Sequence, residues 1–263
     1  MTDLKIRQLC DIMKLRGLAI ICVQETRIPH TGCSILDNGY ALITSGTSDN
    51  SKTYAGVGYL VAPSLRRSIY SFKLISERTC ILKLRVAGGK ITIVNAYAPH
   101  SGHEYGLRQG FFAELSNTIA SASTYGPTLV VGDFNARIHN NVGGRDVFGD
   151  YCFGKADYNP QTHPQANREL LLELCIAKDM CVANTFMEND AENLVTYYDL
   201  WQNPVADISP SGFAQLDLIM PASASLQAQA DSKRPLASSS LAPLLGRSNH
   251  PGEHRTAAQK HRK

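Results

Sequence analysis

Residues 78–99, RTCILKLRVAGGKITIVNAYAP, hold two strand-length runs rich in Ile, Leu, Val and Thr, separated only by Gly88-Gly89. A Gly-Gly pair tolerates the positive backbone angles of a two-residue turn, so the runs are predicted to fold back as an antiparallel hairpin. A hairpin in mid-chain constrains the rest, because the other apolar runs must extend this sheet or cover it. LAIICVQET (18–26), GYALITS (39–45), YAGVGYLVA (54–62) and GPTLVVGDFNA (126–136) read as further strands, mostly buried. CVANTF, NLVTYYDL and FAQLDLIMP, between residues 181 and 221, are shorter strand-like pieces.

Helical periodicity is confined to three segments. LKIRQLCDIMKLRG sets Leu9, Ile12 and Met13 on one face and offers Gly17 as a C-cap. Residues 105–123 read as a helix despite Gly110, and 166–180 as an amphipathic one. Many strands with few helices between them predict the α+β class, two packed sheets covered by helices. With 43% hydrophobic and 19% charged residues, the 263-residue chain can bury a real core.

A net charge of +3 is compatible with a polyanionic partner without requiring one. The seven cysteines are scattered and form no C-x-x-C pair, which favours free thiols in a reducing compartment over disulfides or a zinc site. The start is charged and amphipathic, and no apolar run approaches the roughly 20 residues of a membrane span. The expectation is an intracellular protein, nuclear or cytoplasmic, with no membrane partner. Nothing in the sequence sets an oligomeric state.

From about Pro221 the chain turns to Ala, Ser, Pro and basic residues. A domain over 1–236 and a basic, disordered tail over 237–263 are therefore expected. Residues 137–165, rich in Gly, Asn, Asp, Pro and His, read as a long surface loop. Its Arg137, His139, Arg145 and Lys155 are candidate nucleic-acid contacts.

Polar residues recur at strand ends: Glu25 after AIICVQ, Tyr97 after TIVNA, and Asp133 with Asn135 after LVVG. Each alone reads as a turn former, a cap or core filler. Asp217 is harder to dismiss. It lies between Leu216 and Leu218 in an apolar strand, where a carboxylate needs a cation or an arginine to offset its burial. Carboxylates and an amide without Cys or His companions form the donor set of a hard cation, Mg²⁺ or Mn²⁺. Asp133 and Asn135, two residues apart, share a face in extended geometry. Such a set suits phosphodiester hydrolysis, where a metal neutralises phosphoryl charge and a carboxylate activates water.

CVQETR (22–27), NAYAPH (95–100), VVGDFNARI (130–138), NLVTYY (193–198) and QLDLIM (215–220) occur in the order found in the endonuclease/exonuclease/phosphatase superfamily, which the chain resembles over residues 4 to 240. The resemblance is nearest to the endonuclease domains of LINE-type non-LTR retrotransposons and the craniofacial-development-protein-2-like group. It implies a four-layer α/β sandwich and a divalent-metal-dependent DNA endonuclease. Glu25 would be the metal ligand, Tyr97 a contact to the scissile phosphate and Asp133 the group that orients or deprotonates water. Asn135 would hold the phosphate or nucleophile, and Asp217 would be the strand carboxylate beside the site. Asn95, Thr196 and Arg137 would support or contact the substrate.

Two pieces of the family pattern are not found. One is an opening strand carrying an Asn; the other is a closing strand beginning with an acid–His pair. Ser238-Ser239-Ser240 stands where the second is expected, and Ser248-Asn249-His250 resembles it only superficially. His250 is a candidate for the missing catalytic histidine, though it reads first as a histidine in a solvated tail. The first and last core strands are thus expected to be missing, so the DNA-cutting phosphodiesterase competes with an inactive derivative that binds nucleic acid or protein. A phosphatase for small phosphate esters is the third reading; it needs a cationic pocket, and no Lys/Arg cluster lies near the motifs.

Overall fold

The computed structural model describes residues 1–46, 55–139, 146–153, 166–198 and 213–223. In chain order the elements are α1 (Asp3–Arg16), β1 (Ile20–Val23), β2 (Gly32–Ile35), β3 (Ala41–Ser45), β4 (Val57–Val61), α2 (Pro63–Arg66), β5 (Ile69–Ser76), β6 (Thr79–Val86) and β7 (Gly89–Tyr97). There follow α3 (Tyr105–Ala122), β8 (Thr128–Asp133), α4 (Asn167–Ala177), a 3₁₀ turn (Ala183–Thr185), α5 (Ala191–Leu194), β9 (Tyr197–Tyr198), β10 (Phe213–Ala214) and β11 (Asp217–Met220).

The hairpin forms, with its two-residue turn at Ala87-Gly88 rather than Gly88-Gly89, because Gly89 already pairs with Val86. β6 pairs antiparallel with β7 from Thr79 opposite Ala96 to Val86 opposite Gly89. Around it a five-stranded sheet runs β11-β8-β7-β6-β5, and β1-β4-β3-β2 make a four-stranded sheet. The β7–β8 pair is parallel, with α3 as its crossover; all other pairs are antiparallel among the described residues.

The two sheets pack face to face through Cys22, Ile43 and Tyr59 on one side and Leu82, Ile93, Val131 and Ile219 on the other. α1 covers the outside of the smaller sheet with Ile6, Cys10 and Met13. α3 and α4 cover the larger one, through Phe112, Leu115, Leu171 and Leu174. The result is the four-layer α+β sandwich.

Local chemistry explains the boundaries. Thr2 caps α1, and Gly17, left-handed at φ 65°, ends it. α3 stays helical through Gly106 and Gly110 because Phe111, Leu115 and Ile119 are buried, and tertiary packing outweighs glycine's propensity cost of about 1 kcal/mol. All seven cysteines are free thiols. No helix among the described residues is long and apolar enough to cross a membrane.

Several local expectations are corrected. The α1 stripe is Ile6, Cys10 and Met13, while Ile12 faces solvent. β2 and β5 lack the apolar run that marks a buried strand because each lies at a sheet edge with most side chains half or fully exposed. CVANTF forms no continuous strand: Val182 makes one isolated bridge, and the Thr185 hydroxyl donates to the Val182 carbonyl at 2.6 Å, curling the chain into the 3₁₀ turn. The division at residue 236, the Ser-rich stretch and His250 lie outside the described residues.

Candidate active site

One row of paired residues builds the site. Tyr97 at the end of β7 lies opposite Asp133 at the end of β8, and Asp133 lies opposite Asp217 at the start of β11. Paired residues on adjacent strands, about 4.8 Å apart, project from the same face. Tyr97 belongs to the packing between the sheets, so this row faces the smaller sheet. From there β1 runs out two residues before Glu25, and the Tyr97 hydroxyl donates to Glu25 Oε1 at 2.6 Å. One hydrogen bond thus joins the site-bearing ends of both sheets.

The backbone is bent to do this. Glu25 and Asn135 both adopt left-handed conformations, φ 50° and 47°, which cost non-glycine residues on the order of 1 kcal/mol each and cluster at functional sites. At Asn135 the bend corrects a sequence expectation. β8 ends at Asp133, so strand alternation does not bring the two side chains together. Instead the Asn135 N–H donates to Asp133 Oδ1 at 2.8 Å, and its side-chain amide donates to the Ala98 carbonyl at 2.8 Å. Gly132 is required just before: it sits at φ 146°, and a Cβ there would collide with the Ala96 carbonyl of β7.

The electrostatics are those of crowded acids. Burial and then the Asp217 charge push Asp133 well above the usual carboxylate range, with Glu25 adding to the effect and the Asn135 N–H opposing it. Burial raises Asp217 to about 6, opposed by Thr196. The Tyr97 phenol is driven up by burial, by its bond to Glu25 and by the Glu25 and Asp133 charges. Arg78 opposes this last shift. Its guanidinium lies 5.1 Å from the Tyr97 ring centroid and donates to the Tyr97 carbonyl at 3.3 Å. The His100 and His103 rings meet at 45° with centroids 4.3 Å apart on the loop after β7, and burial, then the charges of His100, Arg78 and Arg108, lower the His103 pKa. Among the described residues, Arg78 is thus a lone guanidinium beside the Tyr97 end of the row.

The remaining expected residues fall into three groups. Asn95 is wholly buried and touches the protein, so it supports the site without reaching a substrate. Its amide donates to the Val23 and Gly58 carbonyls at 3.1 and 2.7 Å and accepts from Gln24 Nε2 at 2.6 Å, tying β7 to β1 and β4. Thr196 accepts from the Leu216 and Asp217 N–H groups at 2.9 and 3.1 Å, fixing the entry to β11. Arg137 is exposed and donates to the Phe213 carbonyl. His139, by contrast, is 3% exposed and its carbonyl accepts from Arg168, which removes it from any solvent-facing contact. Arg145, Lys155 and His250 lie outside the described residues.

Two structural residues escaped the sequence reading. The Asn184 side chain brackets β11 by donating to the Asp217 carbonyl and accepting from the Ile219 N–H, both at 3.1 Å. Asn167, buried at the start of α4, donates to the Pro99, Phe134 and Asn135 carbonyls at 2.8, 3.3 and 3.2 Å and accepts from Arg108 at 3.1 Å. It clamps together the loops that follow β7 and β8. The amphipathic period of 166–180 marks a helix, and an Asn at its start reads from sequence as a cap rather than a clamp. Asn167→Ala is expected to lower stability by about 2 kcal/mol in urea denaturation, since buried carbonyls lose their donor.

Two sheets packed between helices, with acids and amides gathered at one shared end, define the four-layer sandwich class. Within it, the sequence profile of the Endonuclease/Exonuclease/phosphatase family matches residues 2–239. The chain belongs to that family. It is also 24% identical over 149 residues to Craniofacial development protein 2 from Bos taurus, a match covering 57% of this chain and 23% of that protein. Among solved structures, a 3′ phosphatase, NExo, from Neisseria bound to product DNA hairpin superposes with a TM-score of 0.54 at 14% identity, covering 84% of this chain and 83% of that one. The AP endonuclease LMAP from Leishmania major gives 0.56 at 15% identity, covering 81% and 72%. At these identities the two structures establish the shared fold.

Proposed function

We propose that this protein is a divalent-metal-dependent phosphodiesterase that hydrolyses DNA. The observation that carries the reading is the meeting of Glu25, Tyr97, Asp133 and Asp217 across two sheets, with Asn135 bound to Asp133. Asp133, raised by burial and by the Asp217 and Glu25 charges, sits where a cation would relieve the crowding, and the donors are all oxygen, which fits Mg²⁺ or Mn²⁺. Among the described residues no three His, Cys, Asp or Glu side chains stand close enough to chelate one ion. The fit is therefore to a magnesium-like ion held by one or two carboxylates, keeping water and substrate oxygens as its other ligands.

Glu25 would hold that ion, which when bound supplies positive charge to the phosphoryl oxygens. Tyr97 holds Glu25 in place through its one O–H, and would turn that donor to the phosphate once Glu25 binds the ion. Asp133 in its ionised form, which the bound ion's charge would favour, takes a proton from the attacking water; its raised pKa makes it the stronger base once ionised. Asn135 and Thr196 keep Asp133 and Asp217 in register, and the Arg78 guanidinium beside Tyr97 offers positive charge to the phosphate. DNA as substrate draws support from the Neisseria phosphatase bound to a DNA hairpin and from the Leishmania AP endonuclease.

The test is nicking of supercoiled plasmid in Mg²⁺. The wild type is expected to nick and to stop on chelation, and Glu25→Ala is expected to lose about 10²–10⁴-fold in rate. Equal nicking by the variant contradicts the assignment, and no nicking by the wild type makes the chain the inactive derivative.

A further inference from the structure

We propose that the outer face of the larger sheet, at the end away from the candidate site, is a docking surface for single-stranded nucleic acid. The β5–β7 region is unusually basic. Between Pro63 and His103 the only acid is Glu77, whereas Lys and Arg recur on all three strands and on α2.

Register decides where these charges go. Ile81 of β6 pairs with Val94 of β7, and both pack under the helices on the outer face. Side chains on that face recur every second residue. The next two rows outward are therefore Lys83 beside Thr92, then Arg85 beside Lys90. The outer face is apolar where α3 covers it and basic where α3 has ended.

Two tyrosines sit among these cations. Tyr70, at the register shift between Ile69 and Ser71, stacks on Tyr125 with ring centroids 5.1 Å apart and planes 16° from parallel. The Lys83 and Lys90 ammonium groups lie 5.1 and 5.0 Å from the Tyr125 centroid, and the Arg85 guanidinium lies 4.9 Å from that of Tyr70. Tyr70 is 55% exposed, and Arg85 and Lys90 face solvent. No carboxylate pairs with Lys83, Arg85 or Lys90 among the described residues.

Three like charges around one aromatic pair repel one another, and a polyanion relieves that repulsion. Cations that follow a phosphate backbone, interleaved with aromatic rings, are the recognition chemistry of single strands. A duplex fits less well, because the patch is a flat sheet face without a helix or ribbon to enter a groove. The patch is also remote. Lys90 and Tyr97 are seven residues apart on one strand, roughly 23 Å at 3.3 Å per residue, so this surface is distinct from the proposed metal site.

The experiment is fluorescence anisotropy of labelled dT20 with the full chain in EDTA, across a salt series. The Lys83→Glu/Arg85→Glu/Lys90→Glu variant is expected to bind at least tenfold more weakly at low salt. The slope of log K against log salt is expected to fall by about 2, the value for three phosphate contacts on a single strand. Tyr70→Ala, at an exposed position that leaves the fold intact, is expected to weaken binding severalfold while leaving the salt slope unchanged. Unchanged affinity in both variants overturns the proposal, as does wild-type binding to phosphatidylserine vesicles with none to dT20. Nicking is read separately: a protein that binds dT20 but never nicks fails the proposed function and leaves this surface standing.

Discussion

Asp133→Asn is expected to lower Mg²⁺-dependent nicking by about 10³–10⁴-fold while making the metal-free protein more stable at neutral pH. The loss of rate follows from removing the group that takes the proton of water, which the neutral amide cannot do. The gain in stability follows from the crowding. Asp133 sits well above the usual carboxylate range because of burial and the Asp217 charge, and Asp217 itself is raised to about 6.

The sign is fixed by these raised values. Both groups hold protons more tightly in the folded state than in the unfolded chain, so their contribution is most favourable below the unfolded pKa near 4. It is lost as pH rises through the folded values, about 6 for Asp217 and higher than usual for Asp133. In EDTA the wild-type melting temperature is therefore expected to fall from about pH 4 to about pH 6 through Asp217, with the raised Asp133 adding to the fall. Asp133→Asn, carrying no charge, should flatten that fall. Thermal melts across this range, with and without Mg²⁺, check the claim. A wild-type profile that rises over the same interval contradicts it. A side chain that destabilises the empty protein yet supports reaction is the expected trade between stability and function.

Asn95→Leu is expected to cost about 3–5 kcal/mol of stability, more than the loss of the Asn167 clamp. Leucine matches the volume but abandons three buried partners: the Gln24 amide at 2.6 Å, the Gly58 carbonyl at 2.7 Å and the Val23 carbonyl at 3.1 Å. Each orphaned buried group costs about 1–3 kcal/mol, and the whole fold of a typical domain rests on only about 5–15. The damage also reaches the chemistry, because Val23 and Gln24 immediately precede Glu25. Urea denaturation gives the stability. Nicking by the fraction that remains folded should fall as well, since Glu25 loses the anchor of its strand. A variant with wild-type stability would mean that the inter-sheet amide is not what holds β1 against β7.

The sequence was most informative where a residue's reason for being there is local. Apolar β-branched runs marked six of the strands, and Gly88-Gly89 marked the hairpin to within one residue, because turn chemistry and burial are written into adjacent residues. β5 escaped notice because an edge strand alternates charged and apolar side chains unevenly and its register shifts twice. The acids at strand ends were visible as a pattern, yet their meeting depends on pairing between distant strands, such as Asp133 opposite Asp217. Asn167 and Arg78 were invisible for the same reason. Each acts through partners far along the chain, and nothing in its neighbours signals the contact.

The most direct test of a shared ion site is Mn²⁺ binding to the purified wild type and to Glu25→Ala/Asp133→Ala, followed by the electron paramagnetic resonance of free Mn²⁺ at pH 7.5. If these side chains cradle a divalent ion, the wild type removes one equivalent of Mn²⁺ and the double variant removes none in the same concentration range. Equal uptake by both proteins would mean that the ion, if it binds, is held elsewhere.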